Sequence, residues 1–406
     1  MKGQALGSGG QLRCVLLSVV VLLLVAGVGN VRAQEESPAA AGGTSGLNEM
    51  LARVPAELPE LDDPGQAVVS YADIAAQLDA VGVEAPGSFE DEEFGRWMRA
   101  TSGLAMPQTP AQYFKLFRQD FGFDLLQAEQ TLEVSAPPFS LTLYQGDFDE
   151  DAVLDALKAQ GYRAGAIAGR RAFSIRGDFE MDVRATAYYT FASMNYMTVL
   201  DDGTLVFAPA RSIIDAVIAV DEGDAPSLAE ERGVAALVEH APADLVSASL
   251  VPGGLLAGDP LVAAMFPEPG ATPSLDIYAT EQAELRQMPR VSLALLGETA
   301  GGPLPSRPEG TPEPLPDDAP TGRAFIGLLM PGPAAAEDAV PIIEERLATG
   351  VTLSDVRPFA DIFPDPTVTA IPDEALVLID LPFGETQRGI LLRLLITRDL
   401  SFIAWG

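Results

Sequence analysis

Two periods of apolar residues run through this chain, and the switches between them mark its elements. Residues 140–145 (SLTLYQ) alternate and are rich in strand formers, and Gly146 and Asp147 end the run. From residue 149 to 160 the period lengthens: Val153, Leu154 and Leu157 share one helical face and Gly161 provides a stop. Asp147 and Glu150 have the spacing of a capping box. Short strands are expected at 163–167 and 171–175, split by Gly169. MTVL, then Asp201-Asp202-Gly203, then TLVFA reads as a hairpin with an acidic-glycine turn. A helix over 211–220 with Ile213, Ile214, Val217 and Ile218 inward closes the series.

The same order returns later. A strand at 325–329 precedes a helix at about 337–348, with Val340, Ile343 and Leu347 inward and Gly350 as the stop. Strands at 368–371 and 376–379 flank Pro372-Asp373-Glu374, a helix follows at about 387–396, and a strand is expected at 401–405. FSLTLYQGDFDEDAVLDALKAQG parallels AFIGLLMPGPAAAEDAVPIIEERLATG, and TVLDDGTLVF parallels TAIPDEALVL, in order of elements rather than in residue identity. Further helices are expected at 71–81, 94–100, 112–120 and 228–239, and buried strands at 245–251 and 291–296. Hairpins make such a sheet mostly antiparallel. The expectation is an α+β fold of two related sheet-plus-helix units, a duplicated pair of ferredoxin-like or related split units, at 65–225 and 226–406.

The ends change the picture. Lys2 and Arg13 precede a short apolar run, residues 14–28, and Val31-Arg32-Ala33 follows. A positive start, an apolar run too short for a full span and a small-residue end make residues 1–33 a signal peptide. An uncleaved signal would instead leave 14–28 as a membrane tether. Either way the body is expected in a secreted or extracytoplasmic location, outside a bacterial-type membrane. Residues 34–64, rich in Ala, Gly, Ser, Pro and acids, read as a flexible tether, and 301–322, with seven prolines, as a long loop or linker inside the second unit.

The chain of 406 residues carries a net charge of −33. Residues 1–33 hold three basic and no acidic residues, which leaves 22 basic against 58 acidic, or −36, and Lys115 and Lys158 as the only lysines. Such a surface disfavours nucleic acid and anionic lipid, and acidic residues keep an exported protein soluble. Cys14 is the only cysteine, so the body has no disulfide and depends on its core.

The search for chemistry narrows the classes. His240 is the single histidine, at the end of an expected helix, where a cation is favourable; it reads as a cap or surface residue. A histidine zinc site lacks partners, and no G-x-S-x-G elbow, P-loop or dinucleotide fingerprint occurs beyond residue 33. Asp147, Asp149 and Asp151 open like a calcium loop, but Ala152 and Lys158 stand where it needs Gly and Glu. Asp91-Glu92-Glu93 before Phe94 and Trp97 could pair carboxylates with an aromatic platform, yet equally reads as the acidic first turn of a core helix. Arg176-Gly177-Asp178 spells an adhesion tripeptide and reads as a turn.

No catalytic residue, cofactor-binding residue or metal ligand is therefore assigned, and no cofactor is implied. The expected function is an exported, non-enzymatic binding or structural module of the bacterial cell envelope or exterior, with an unidentified protein or small-molecule partner and no nucleic acid. The alternatives are a carboxylate-based hydrolase acting on glycans and a divalent-cation-dependent adhesion or assembly module.

Overall fold

A computed structural model describes residues 43–61, 66–106, 114–182, 192–257, 288–301, 322–352, 357–382, 388–397 and 399–405. Along the chain these form α1 (Gly43–Leu51), β1 (Val68–Asp73), α2 (Ile74–Ala80), α3 (Phe94–Thr101), α4 (Phe114–Phe121), β2 (Ala128–Ala136), β3 (Phe139–Gly146) and α5 (Glu150–Ala159). There follow β4 (Arg163–Ile167), β5 (Arg170–Ser174), β6 (Tyr196–Val199), β7 (Leu205–Ala208), α6 (Arg211–Asp221), α7 (Arg232–Glu239), β8 (Leu245–Pro252) and β9 (Leu293–Thr299). The last group is β10 (Arg323–Leu329), α8 (Pro333–Thr349), β11 (Thr367–Ile371), β12 (Leu376–Pro382) and α9 (Ile390–Ile396).

The protein is an α+β protein built on one large antiparallel sheet. All twelve strands among the described residues join it, in the order β11-β12-β10-β9-β8-β1-β2-β3-β7-β6-β5-β4. The stretches 65–225 and 226–406 each contribute strands, and they meet where β1 pairs with β8. Alternation along each strand sends side chains to two faces. The front face carries Tyr71, Leu132, Leu143, Leu250 and Leu295, which form one apolar core with residues of α1, α6 and α7. The back face carries two separate cores. Tyr144, Phe207 and Met197 pack with Trp97, Phe117, Phe121 and Leu157 over one half. Leu296, Ile326 and Ile379 pack with Ile343, Leu347 and Leu394 over the other.

Local signals explain most elements. Val153, Leu154 and Leu157 of α5 are buried, and Gly161 takes the positive φ of 91° that stops it. The helix is capped by Asp149, whose carboxylate accepts from Ala152 N, and not by Asp147 as the capping-box spacing suggested. The expected hairpin forms as β6 and β7, with Gly203 at φ 87° in the turn. The strands at 163–167 and around 171–174 pair as β4 and β5 across Gly169, and β11 pairs with β12. α8 begins earlier than its apolar period implied, at Pro333, because proline is favoured in a first helical turn. Ala336 and Ala339 join Ile343 and Leu347 in its buried stripe, while Val340 is only partly buried.

Several expectations are corrected. The stretch 34–64 is not wholly a tether: Gly43–Leu51 is helical, and Leu47, Met50, Leu51 and Val54 are fully buried. Their spacing gives one apolar stripe, hidden in the sequence by flanking Gly, Ser and Pro residues. The helix expected over 71–81 begins only at Ile74, because residues 71–73 pair with β2 as the end of β1. The helix expected over 228–239 is split into a 3-10 turn, Leu228–Glu230, and α7. The segment 401–405 is a pair of turns rather than a strand, tied by a single bridge between Ala257 and Trp405. β2 was not anticipated; Glu129 and Glu133 make its sequence read as polar. The expected signal peptide, residues 1–33, and loop residues 302–321 lie outside the described residues. No helix among the described residues is long and apolar enough to cross a membrane.

Candidate functional site

Polar residues line up where the two back-face cores leave the middle of the sheet between them. Thr142, Glu133, Ser70 and Ser249 stand opposite one another across β3, β2, β1 and β8. Ser247 lies two residues from Ser249 on the same face and opposes Glu298 on β9. Strand alternation places all six side chains on the back face, because their neighbours Leu132, Leu250 and Leu295 fill the front.

Glu133 is half-buried, and burial pushes its carboxyl up to about 7 from an ordinary 4.5. The Glu133 charge in turn adds to the burial that raises the Tyr144 phenol. Two residues before Glu133 on β2, on the same face, the Thr131 hydroxyl is buried and has no hydrogen-bond partner among the described residues.

At the other end, Glu298 is 2% exposed. Its Oε2 accepts from Gly389 N at 2.7 Å and its Oε1 from Leu391 N at 3.0 Å, so it clasps the start of α9. Burial raises its carboxyl, opposed by the Arg388 charge and by those two backbone bonds. The loop after α3 completes this region. Ala105 N donates to Ser247 Oγ at 2.8 Å, and a Cβ on Gly103 would stand 2.6 Å from Gly389 Cα, so two glycines let the halves touch backbone to backbone. A shallow crevice opens there, with room for about one water-sized group, lined by Ala105, Ser247, Ser249, Leu296, Glu298 and Leu395 among others.

This arrangement offers hydroxyls and isolated carboxyls. Glu133 and Glu298 are three strands apart and offset along them, which puts them roughly 15 Å from each other by strand spacing. Paired-carboxylate hydrolysis works at about 5–10 Å. No cluster of three His, Cys, Asp or Glu residues able to hold a metal occurs among the described residues.

The residues singled out by sequence fall elsewhere. Asp149 caps α5, and Asp147, Asp149 and Asp151 form no metal cluster. Trp97 is fully buried and stacked on Phe94, with centroids 6.1 Å apart, which removes it as a surface platform. Asp91 accepts from Ser88 N, and Glu93 pairs with Arg96. Asp178 of the Arg176-Gly177-Asp178 tripeptide accepts from Arg211 N at the start of α6. His240 is the C-cap residue of α7, with Nε2 3.1 Å from Glu374. Lys158 pairs with Asp155 on α5. Sequence reasoning missed Glu133, Glu298 and Arg388, since nothing local separates them from other charged residues.

Comparison with protein-family models, curated proteins and solved structures finds no match for this chain.

Proposed function

We propose that this protein is an exported, non-enzymatic binding or structural module of the bacterial cell envelope or exterior, assembled from two copies of one α+β unit. Export rests on Lys2, Arg13, the apolar run 14–28 and the small-residue end at Ala33. Duplication is supported by the order of elements. Helix α1 and strand β1 lead to β2, β3, α5, the β6–β7 hairpin and α6; helix α7 and strand β8 lead to β9, β10, α8, the β11–β12 hairpin and α9. In each series the second hairpin strand lies beside the strand that precedes the long helix, β7 by β3 and β12 by β10. The β4–β5 hairpin and the helices α2, α3 and α4 between β1 and β2 have no counterpart among the described residues of the second series, and α6 packs on the front where α9 packs on the back.

The polar line across the junction of the halves is the observation that carries the binding role. A twelve-stranded sheet holds it rigidly, and its hydroxyls and single carboxyls suit recognition. Expression of the full chain in a bacterial host tests both parts. The exported product should begin at Gln34. Its melting temperature should rise with one member of a panel of small ligands and glycans, without turnover of that ligand. Hydrolysis of a glycan, or a rise with millimolar calcium alone, would replace this reading by one of the other two.

A further inference from the structure

We propose that Arg388 anchors a binding site for a small oxyanion, a carboxylate or a phosphate. This names a ligand class for the module described above and rests on that reading. Arg388 is 6% exposed, and its Nε, Nη1 and Nη2 are all buried with no acceptor among the described residues. Glu298 and Asp244 set the negative potential around it. Neither is within ion-pair distance of it, and both oxygens of Glu298 are taken by Gly389 N and Leu391 N. Burial lowers the guanidinium only to about 10, so it stays charged at neutral pH.

A planar group with five N–H donors enclosed without an acceptor is strongly unfavourable, and the acceptor that matches its fork is a two-oxygen anion. Gly389, next in the chain, is tied through Glu298 to the wall of the crevice. That crevice carries the hydroxyls of Ser247 and Ser249 together with Glu298; it has room for about one water-sized group and Arg388 itself does not line it, so only the smallest oxyanions are expected to bind. The body of the protein is strongly acidic, so a bulk electrostatic attraction for anions is absent and binding must come from this one guanidinium.

The test is thermal melting of the full chain in chloride, inorganic phosphate and acetate at matched ionic strength, for the native protein and R388M. In chloride, the native protein and R388M set two baselines, that of R388M lowered because it leaves the buried Glu298 without the charge that offsets its burial. Saturating phosphate or carboxylate should raise the native protein by about 3 °C or more and leave R388M unmoved, widening the gap. The phosphate and carboxylate arms tell the two sources apart. Should R388M fail to fold, calorimetric titration of the native chain with the same anions decides the matter. No response of the native protein to any oxyanion places the acceptor within the chain and overturns the proposal. A response to a neutral glycan alone would do the same while leaving the binding role intact.

Discussion

Glu133 shows how much a single residue owes to its surroundings. In the sequence it is one of 58 acidic residues, in a segment that reads as polar. In the fold it faces the polar middle of the sheet with Ser70 and Thr142 on either side, and burial lifts it to about 7. The sign follows from the raised value. The folded chain holds this proton more tightly than the unfolded chain, so the contribution is complete below about 4.5 and is lost as pH rises through 7. The difference corresponds to on the order of 3 kcal/mol. E133Q should therefore match the native protein near pH 4 and exceed its stability by up to that amount above pH 8, as read by urea unfolding at each pH. A difference that stays constant with pH would show that the Glu133 carboxyl is not desolvated. Arg388 illustrates the same limit: its burial comes from packing at the start of α9 and has no local signature.

At the scale of elements, α1 was illegible for a reason that can be tested. Gly46 lies in the middle of this helix, where glycine costs about 1 kcal/mol relative to alanine. It is there because the helix presses onto the sheet: a Cβ at this position would stand 2.5 Å from the Tyr71 hydroxyl and 2.7 Å from Gln130 Nε2. Those two groups are held by Asp73, which accepts from the Tyr71 hydroxyl at 3.3 Å and from Gln130 Nε2 at 3.1 Å, and from Ala76 N at 2.8 Å as the cap of α2. G46A should lower stability by about 1–3 kcal/mol in spite of its better helix propensity, because overpacking outweighs propensity in a closed contact. A G46A protein more stable than the native one would mean that α1 is not seated on Tyr71. Elements with complete local signals were legible. α5 has its cap, stripe and stop, and the β6–β7 hairpin has its Asp-Gly turn. The failures fell where strand pairing overrode a local period, as at 71–73, or where an apparent final strand found no neighbour beyond Ala257.

For the whole molecule the decisive feature is that one sheet and one front-face core run through both halves. The two tryptophans report on different back-face regions: Trp97 is buried in the first, and Trp405, whose Nε1 donates to Gly253 O at 2.9 Å, packs against the second. In W97F only Trp405 emits, and in W405F only Trp97. In each variant the fluorescence and far-UV circular dichroism unfolding curves should superimpose, because neither half can release its strands without opening the β1–β8 pairing. Separate midpoints within one variant would mean that the halves unfold independently.

The sequence by itself determined the class of the fold, the positions of most helices and hairpins, the strong negative charge and the lack of cysteine beyond Cys14, because these depend on composition and on periods a few residues long. It also excluded the catalytic motifs that need a second histidine or a glycine-rich loop. Only the tertiary structure decided that β1 and β2 sit at the centre of a single sheet, that residues 43–51 belong to its core, and that Glu133, Glu298 and Arg388 are buried. Each of these depends on which distant strand or helix lies alongside, a long-range choice set by the burial of a shared face and not by any local run of residues.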